Sequence, residues 1–383
     1  MRKLFIIVIL IVFSNAKSQN FDKFDSVINS GITNRFYPGA QAIVGNNSRI
    51  IYEKSYGRFT YDAKSPEVKN DYIFDLASVT KVIATTSAIM KLYDESKLSL
   101  DDKVIKYIPE FNNNGKQDIT IQNLLLHNSG LKAWIPFYKT CKTKEEALNI
   151  VYNTKLEYTP NTKFIYSDLN AILLGIIVER ISGLSLDIYC KDNIFEPIGM
   201  VSTYFNPQDK SIALPTENDT YWRNRQLQGE VHDESASILG GVSGNAGLFS
   251  NAKDLYIFMK MMLCNGTYFN IYQKGSQFEQ FVSDSTVKLF TSKYDRTTYL
   301  NTRALGWDTK PEENHYRTQC GELFSENSFG HTGYTGTSVW CDRDKKIIVI
   351  FLTNRVYPSR DNNGIKEIRP EVHNQAILAL NSK

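Results

Sequence analysis

Ser78 and Lys81 lie three residues apart at the start of the stretch ASVTKVIATTSAIMKL, which spans residues 77–92. The stretch contains no proline and no glycine and is predicted to form one helix, on which this spacing places both side chains on the same face. A partly desolvated lysine near a helix N-terminus has its ammonium form disfavoured, so it can act as a base toward a serine hydroxyl. The free backbone N–H groups at a helix start can also hold an oxyanion. The pattern therefore suits a serine nucleophile for acyl transfer.

The Ser-x-x-Lys spacing is a weak signal by itself, because the chain contains it five times. The five copies start at Ser14, Ser78, Ser129, Ser250 and Ser285. Ser250 is better interpreted as the N-cap of a helix with Asp254 in its first turn, and Ser285 lies in an ordinary amphipathic segment. The alternative for Ser78 is likewise a capping serine beside a solvated lysine.

Several sequence blocks, in a fixed order, resemble those of the serine β-lactamase and penicillin-binding protein superfamily. The blocks are YPGAQAIVG (37–45), FDLASVTKVIAT (74–85), ITIQNLLLHNSGL (119–131), YSDLNAILLG (166–175), IFEPIGM (194–200), GGVSGNAGLFS (240–250), LGW (305–307) and FGHTGYTGTSVW (329–340). A Ser-x-x-Lys motif together with a Lys-Thr-Gly-type strand is the signature of this superfamily. Within this superfamily the chain resembles the class C β-lactamases, the D-alanyl-D-alanine carboxypeptidases and related esterases, and the resemblance covers almost all of its length after residue 18.

The resemblance implies roles for four residues in catalysis. Ser78 would be the nucleophile, Lys81 its proton partner, and Tyr166, the first residue of YSD, would shuttle the proton. The backbone amides of Ser78 and Tyr334 would form the oxyanion hole. A positioned base or shuttle contributes about 10²- to 10⁴-fold in rate, and one oxyanion donor contributes about 2.7–4 kcal/mol.

The expected substrate-binding residues depart from the family's pattern at two positions. The triplet of His331, Thr332 and Gly333 would line the pocket, but the family's triplet usually starts with a lysine that holds the substrate carboxylate. A histidine supplies positive charge only below its pKa, and we expect this to occur near pH 6. The second motif usually ends in asparagine and here ends in Asp168, which could belong to the site, cap the helix at 169–181, or do both. Efficient β-lactam hydrolysis is therefore not expected, whereas peptidase or esterase activity is.

The other histidines are weaker candidates. His127 is interpreted as a structural histidine. His232 and Asp233 resemble a catalytic pair, but adjacent residues rarely point together, so a role in lining the pocket is the better of the two interpretations. His315 and His373 lie in polar surroundings and are predicted to be surface residues.

Composition and charge exclude several other classes of function. The net charge is +3, and Arg2, Lys3 and Lys17 account for it, so the chain after residue 18 is close to neutral. Since no basic stripe is interleaved with aromatic residues, nucleic acid is not expected as a partner. The five cysteines lack metal-site spacing and are predicted to be mostly buried single thiols, with at least one unpaired within the chain.

Residues 1–18 are predicted to be a secretory signal peptide. Two basic residues precede an apolar run at 4–13 that is too short to span a bilayer, and small residues follow it. The alternative is an uncleaved membrane anchor. The sequence therefore predicts an exported protein, periplasmic or secreted, with no transmembrane segment after cleavage.

Predicted strands and helices near both ends of the chain position these motifs. Residues 21–32 are predicted to form a helix, the regions 39–60 and 333–354 each to form two strands, and the C-terminal residues a final helix. We expect an α+β, β-lactamase/transpeptidase-like fold, with an antiparallel sheet flanked by helices packed against a mainly helical subdomain. The sheet layer would come from about 19–75 and 235–383 and the subdomain from about 76–234, with the site in the cleft between them.

The sequence thus predicts an exported serine hydrolase that forms an acyl-enzyme at Ser78. Its substrates would be cell-wall peptides, esters or small amides, and no metal or organic cofactor is expected. The alternative is a catalytically silent binding module for muropeptides or a protein partner.

Overall fold

The strands and helices belong to an α+β chain whose two ends meet in one antiparallel sheet. The computed structural model describes residues 19–270, 277–294, 303–311 and 318–382. The predicted signal peptide and His315 lie outside these residues. The α+β class and the helix-flanked antiparallel sheet are confirmed, whereas the division into a sheet layer and a subdomain stays a prediction.

Strands of the described residues form one large sheet and three small ones. The strands are β1 (Gly39–Asn46), β2 (Ile50–Gly57), β3 (Phe74–Asp75), β4 (Tyr204–Phe205), β5 (Pro215–Asp219), β6 (Arg225–Gln228), β7 (Leu248–Ser250), β8 (Thr267–Asn270), β9 (Gln277–Gln280), β10 (Asp308–Thr309), β11 (Ser328–Thr332), β12 (Ser338–Asp342) and β13 (Ile347–Thr353). The large sheet has the order β10–β11–β12–β13–β1–β2. The predicted strand pairs at 39–60 and 333–354 are therefore confirmed as β1–β2 and β12–β13.

Helices cover both faces of this sheet and fill the middle of the chain. They are α1 (Asp22–Thr33), α2 (Ser87–Asp94), α3 (Ile121–Leu125), α4 (Lys144–Asn153), α5 (Asp168–Ser182), α6 (Leu186–Cys190), α7 (Glu196–Ile198), α8 (Glu234–Ile238), α9 (Ala252–Leu263), α10 (Asp284–Thr291) and α11 (Ile365–Asn381). Shorter 3₁₀ turns lie at Ala77–Val79, Val104–Lys106, Pro109–Phe111, Phe137–Lys139 and Lys210–Ile212, and π-helical turns lie at Lys81–Thr86 and Lys191–Phe195. The predicted N-terminal and C-terminal helices are confirmed as α1 and α11.

The strand β1 shows why the sheet is buried on both sides. Ala40, Ala42 and Val44 point to the face covered by α1 and α11, and Ile43 belongs to the larger core on the opposite face, where α9 contacts β1 and β13. Because successive side chains of a strand alternate between faces, a strand covered on both sides is apolar nearly throughout.

The segment at Ser78 is helical, as predicted, but it is not one uniform helix. A 3₁₀ turn at Ala77–Val79 leads into the π-helical turn Lys81–Thr86 and then into α2. Ala77 has φ +45°, which non-glycine residues rarely adopt, and the carboxylate of Asp75 accepts a hydrogen bond from its amide at 2.8 Å. The backbone therefore turns sharply immediately before Ser78.

Two predictions about single residues are wrong, those for Ser250 and His373. Ser250 ends β7 and its hydroxyl lies 2.7 Å from that of Thr203, while Asn251 caps α9 by accepting from the amide of Asp254. Of the roles left open for Asp168, the cap is not observed, because Asp168 is the first residue of α5. His373 is fully buried, with Nε2 3.1 Å from the hydroxyl of Ser338. In each case a long-range packing partner, invisible in the local pattern, sets the environment.

All five cysteines lie in the described part of the chain, and none forms a disulfide there. Four are buried and Cys264 is half-buried, which confirms the prediction of mostly buried single thiols. Within the described ranges, we find no helix that is both long enough and apolar enough to cross a membrane.

Candidate active site

Ser78 and Lys81 meet at the start of the helical segment. The Lys81 Nζ lies 3.0 Å from the Ser78 Oγ, 2.9 Å from the backbone oxygen of Asn245 and 2.7 Å from the Asp168 Oδ1. An ammonium has three N–H groups and no lone pair, and these three oxygens are acceptors for all of them. The Lys81 side chain is only 4% exposed, so this set of contacts fixes its position.

The charge of Lys81 differs from the sequence-based expectation. Burial alone disfavours the ammonium form, but the Asp168 carboxylate outweighs it with a further contribution from Tyr166, so the pKa of Lys81 is raised. The prediction that the ammonium form is disfavoured is therefore wrong. Lys81 donates to Ser78 rather than accepting from it, and the Ser78 proton is left free to point to another acceptor.

A substitution at Asp168 tests this ion pair. We expect Asp168→Asn to lower the free energy of unfolding by about 1–3 kcal/mol at pH 7, because a buried ammonium loses its carboxylate partner. The stabilisation from a raised lysine pKa is fully present below the ordinary value of about 10.4 and is lost as pH rises through the raised value. The free energies of unfolding of Asp168→Asn and wild type should therefore become more similar above about pH 10.

Denaturant unfolding at neutral and alkaline pH measures this difference. Asp284→Asn is a matched control, because Asp284 pairs with Lys288 at 2.7 Å on the exposed surface of α10, where an ion pair contributes less than about 1 kcal/mol. Equal losses in the two variants at pH 7 would show that the Lys81–Asp168 pair does not stabilise the site.

Tyr166 lies against Lys81 with its ring in a cationic environment. The ring centroid is 5.0 Å from the Lys81 Nζ and 5.4 Å from the guanidinium carbon of Arg303. The Tyr166 hydroxyl is buried and completes no hydrogen bond with good geometry among the described residues. A phenol oxygen in this position can both accept and donate a proton.

His127 supports Tyr166 from behind. Its ring centroid lies 4.6 Å from that of Tyr166, and its Nδ1 accepts from the amide of Ser167 at 3.1 Å. Burial, followed by the charges of Arg303 and Lys81, holds the pKa of His127 well below its usual value. His127 is therefore buried and hydrogen-bonded, as a structural role requires, and that role stays a prediction.

His331 is neutral and presents an unpaired acceptor. It is only 2% exposed on β11, and its Nδ1 lies 2.9 Å from the backbone oxygen of Thr332. Because a carbonyl oxygen can only accept, Nδ1 carries the proton, and Nε2 is left as an acceptor without a described partner. Burial, then the charges of Arg303 and Lys81, lowers the pKa of His331 well below its usual value. The expectation that His331 becomes protonated near pH 6 is therefore wrong.

The turn after His331 packs against the residues that precede Ser78. The hydroxyl of Thr337 donates to the Leu76 oxygen at 3.0 Å, and that of Thr335 donates to the Asp75 oxygen at 2.7 Å. A Cβ on Gly333 would lie 2.1 Å from the Thr337 Oγ1 and 2.4 Å from the Leu76 oxygen, so only glycine permits this approach. The turn thus holds the Tyr334 backbone beside the start of the Ser78 segment.

His232 and Asp233 point to different partners, as expected of adjacent residues. Asp233 caps α8 through the Ala236 amide at 2.8 Å and accepts from the Asn245 side chain at 3.0 Å. Burial and, next, the charge of Asp168 raise the pKa of Asp233 to about 6. Asp233 therefore supports the Asn245 loop whose carbonyl binds Lys81.

A buried ionic network behind Tyr334 was not predicted from the sequence. The His232 Nε2 lies 2.9 Å from Glu217, which also binds Arg360 at 2.6 Å, and the His232 and Tyr334 rings stack at 5.8 Å. Burial disfavours the Glu217 carboxylate, but His232 and Arg360 outweigh it and lower the pKa of Glu217 to about 2. The members are far apart in the sequence and form no local pattern, so no sequence signal joins them.

The structure thus brings the predicted residues together where three elements meet. The Ser78 helical segment supplies Ser78 and Lys81, the N-terminus of α5 supplies Asp168 with Tyr166 just before it, and the end of β11 supplies the triplet at 331–333. Asn245, which the sequence analysis did not single out, completes the contacts of Lys81.

Comparisons with known proteins identify the family of the chain. The family model described as Beta-lactamase matches residues 24–372. The chain is 35% identical to a protein of Escherichia coli (strain K12) provisionally named D-alanyl-D-alanine carboxypeptidase, over 83% of this chain and 79% of that protein. It is also 35% identical to the N-acetylmuramyl-L-alanine amidase of Bacillus subtilis (strain 168), over 89% of this chain and 83% of the amidase.

A solved structure extends the likeness to the fold. The β-lactamase/D-alanine carboxypeptidase from Pseudomonas syringae superimposes with a TM-score of 0.72, covering 93% of this chain and 97% of that one, at 16% sequence identity. The β-lactamase/transpeptidase-like fold predicted from the motifs is thereby confirmed. The chain belongs to the Beta-lactamase family and is a serine hydrolase.

Proposed function

We propose that the chain hydrolyses amide or ester bonds of peptidoglycan-derived substrates through an acyl-enzyme at Ser78. The single observation that carries this proposal is the contact between the Lys81 ammonium and the Ser78 Oγ at 3.0 Å, beside the Tyr166 ring. A nucleophile held by a cation and flanked by a proton-transfer group is the arrangement that serine acyl transfer needs.

The proposed reaction keeps Lys81 charged throughout. The Ser78 Oγ attacks the substrate carbonyl carbon, and the bond from that carbon to the leaving nitrogen or oxygen breaks. In a concerted relay, the Ser78 proton moves to the Tyr166 oxygen as the Tyr166 hydroxyl proton moves to the leaving atom. The Lys81 ammonium stabilises the negative charge that develops on Oγ, and the amides of Ser78 and Tyr334 receive the carbonyl oxygen. In deacylation water attacks the ester, and the same relay returns a proton to Ser78.

The two motif positions that depart from the family's pattern offer no positive charge to a carboxylate next to the scissile bond. His331 is neutral where the family usually has a lysine, and Asp168 is a carboxylate where the family usually has an asparagine. Arg355, near the same turn, already donates to the backbone oxygens of Tyr334, Arg360 and Asn362. A carboxypeptidase substrate ends in a free carboxylate, so we favour an amidase of the kind that the Bacillus subtilis relative's name describes.

Covalent labelling tests this function. A fluorophosphonate probe should label wild type, and intact-mass spectrometry of a panel of muropeptides and esters should detect an acyl-enzyme. A protein that takes up no probe and forms no adduct would instead be a catalytically silent binding module. We also propose that the protein is exported, which is checked by the mass of the protein recovered from outside the cytoplasm.

His331 offers a prediction about specificity. We expect His331→Lys to change the ratio of kcat/KM for a cephalosporin over an acetate ester by about 10- to 100-fold in favour of the cephalosporin, because a hydrogen bond to a charged group contributes about 1.5–3 kcal/mol. His331→Gln, which adds no charge, is the control. An unchanged ratio in His331→Lys would refute the specificity argument and leave the hydrolase assignment intact.

The wild-type ratio should also be independent of pH between about 6 and 8. The depressed pKa keeps His331 neutral across this range, and effects on Lys81 and Tyr166 are common to both substrates and cancel in the ratio. Steady-state kinetics with both substrates between about pH 6 and 8 measure this ratio of kcat/KM values. A rise in the cephalosporin ratio toward pH 6 would show that His331 does become protonated there.

A further inference from the structure

Four aromatic side chains form a cluster on the surface beside the site. We call the cluster of Trp134, Tyr138, Tyr221 and Trp222 the aromatic platform. The Tyr138 ring centroid lies 5.3 Å from that of Trp222, 5.9 Å from that of Tyr221 and 6.4 Å from that of Trp134. Trp134 is 41% exposed and Tyr221 is 46% exposed. Contiguous exposed aromatic rings are uncommon unless they bind something.

One end of the aromatic platform is joined to the catalytic lysine. Trp134 follows Ala133, whose backbone oxygen accepts from the amide of Asp168 at 2.9 Å. The carboxylate of Asp168 in turn binds Lys81 at 2.7 Å. The chain that carries Trp134 therefore runs past the N-terminus of α5, directly beside the group that holds Lys81.

The other end is joined to the oxyanion-hole turn. The Tyr221 hydroxyl is hydrogen-bonded to Glu234 and Arg360, and the ionic network of Arg360 leads through Glu217 to His232, which stacks on Tyr334. The hydroxyl of Ser235 on α8 also donates to the backbone oxygen at residue 135 at 3.3 Å. Hydrogen bonds and ion pairs therefore connect the aromatic platform to both sides of the catalytic centre.

The chemistry of the platform selects one kind of ligand. All four side chains are tryptophan or tyrosine, which combine an apolar face with a polar edge. The arginines beside it are already paired, since Arg223 binds Asp219 at 2.9 Å and Arg360 binds Glu217 and Glu234, so they offer little to an anion. A pyranose ring matches this surface, because it presents C–H groups on its faces and hydroxyl groups around its edge.

We propose that the aromatic platform is a subsite for a sugar ring of the substrate, attached to the peptide or acyl group that Ser78 attacks. This inference rests on the proposed function and deepens it. The enzyme would recognise the junction between sugar and peptide rather than a free peptide, so that the sugar ring contributes to binding directly beside the scissile bond.

Binding to the inactive Ser78→Ala protein tests the subsite without turnover. The probe is N-acetylmuramoyl-L-alanyl-D-isoglutamine, and the matched ligand is the same peptide with a lactoyl group in place of the muramoyl group, which removes only the sugar. We expect the sugar-containing ligand to bind at least tenfold more tightly, as measured by calorimetry. Trp307 and Trp340 are buried, so a change in tryptophan fluorescence on binding would come from Trp134 and Trp222.

Substitutions in the aromatic platform then test whether it is the source of the sugar preference. Trp134→Ala and Tyr138→Ala, each added to Ser78→Ala, should remove the preference for the sugar-containing ligand. Phe278→Ala is the control, because Phe278 is 73% exposed on β9 and lies outside the platform. A sugar preference that survives in both platform variants, or equal binding of the two ligands by the parent, would overturn the proposal.

The outcomes also separate this inference from the proposed function. A wild-type protein that takes up the fluorophosphonate probe but shows no sugar preference keeps the function and loses the subsite. A protein that binds the sugar through Trp134 but forms no acyl-enzyme keeps the subsite and loses the function.

Discussion

Ser78→Ala should abolish covalent labelling and lower kcat by at least about 10⁴-fold, as removal of a catalytic serine does in other hydrolases. The fold should remain intact, because the change removes one small hydroxyl and one acceptor of Lys81 and should lower the free energy of unfolding by about 1–2 kcal/mol. Covalent labelling, kcat and the free energy of unfolding can be measured on one preparation, by a fluorophosphonate probe, steady-state kinetics and denaturant unfolding.

Two other copies of the Ser-x-x-Lys pattern supply the controls. Ser285 is exposed on α10 three residues before Lys288, so Ser285→Ala should change neither labelling nor kcat. Ser250→Ala should keep kcat but lose stability by about 1–3 kcal/mol, because the buried Ser250 hydroxyl lies 2.7 Å from that of Thr203. If Ser250→Ala removes turnover at unchanged stability while Ser78→Ala does not, the nucleophile has been assigned to the wrong residue.

Lys81→Ala and Tyr166→Phe should each lower kcat by about 10²- to 10⁴-fold, with smaller effects on KM. In the proposed relay, Tyr166 transfers the proton between Ser78 and the leaving group while Lys81 stabilises the charge on the Ser78 Oγ. Each role therefore contributes to the rate only when the other is intact. The double variant should therefore be little slower than the slower single variant.

The comparison of the two single variants and the double variant decides this prediction. Burst-phase kinetics with an activated ester should show that the acylation step is the one that slows. Tyr334→Phe is a suitable control, since it removes the hydroxyl of a half-exposed side chain but keeps the backbone amide assigned to the oxyanion hole. Losses that simply multiply in the double variant would indicate separate roles for Lys81 and Tyr166.

Local sequence determined where the candidate site begins. A helical segment without glycine or proline brings Lys81 next to Ser78, and the strand β11 with the turn that follows it presents residues 331–333. The family resemblance added the fold and the prediction that Tyr166 and Asp168 lie in the same site. These features depend on neighbours in the chain or on motif order, so the sequence alone was sufficient for them.

The tertiary structure decided the charges at the site. The spacing of Ser78 and Lys81 suggested a neutral lysine, but Asp168, brought to 2.7 Å by the start of α5, makes it an ammonium. The residue type at 331 suggested a group that titrates near pH 6, but burial next to Arg303 and Lys81 keeps it neutral. A protonation state depends on distances to charges and on exclusion of water. Both arise only when segments that are remote in the sequence pack together.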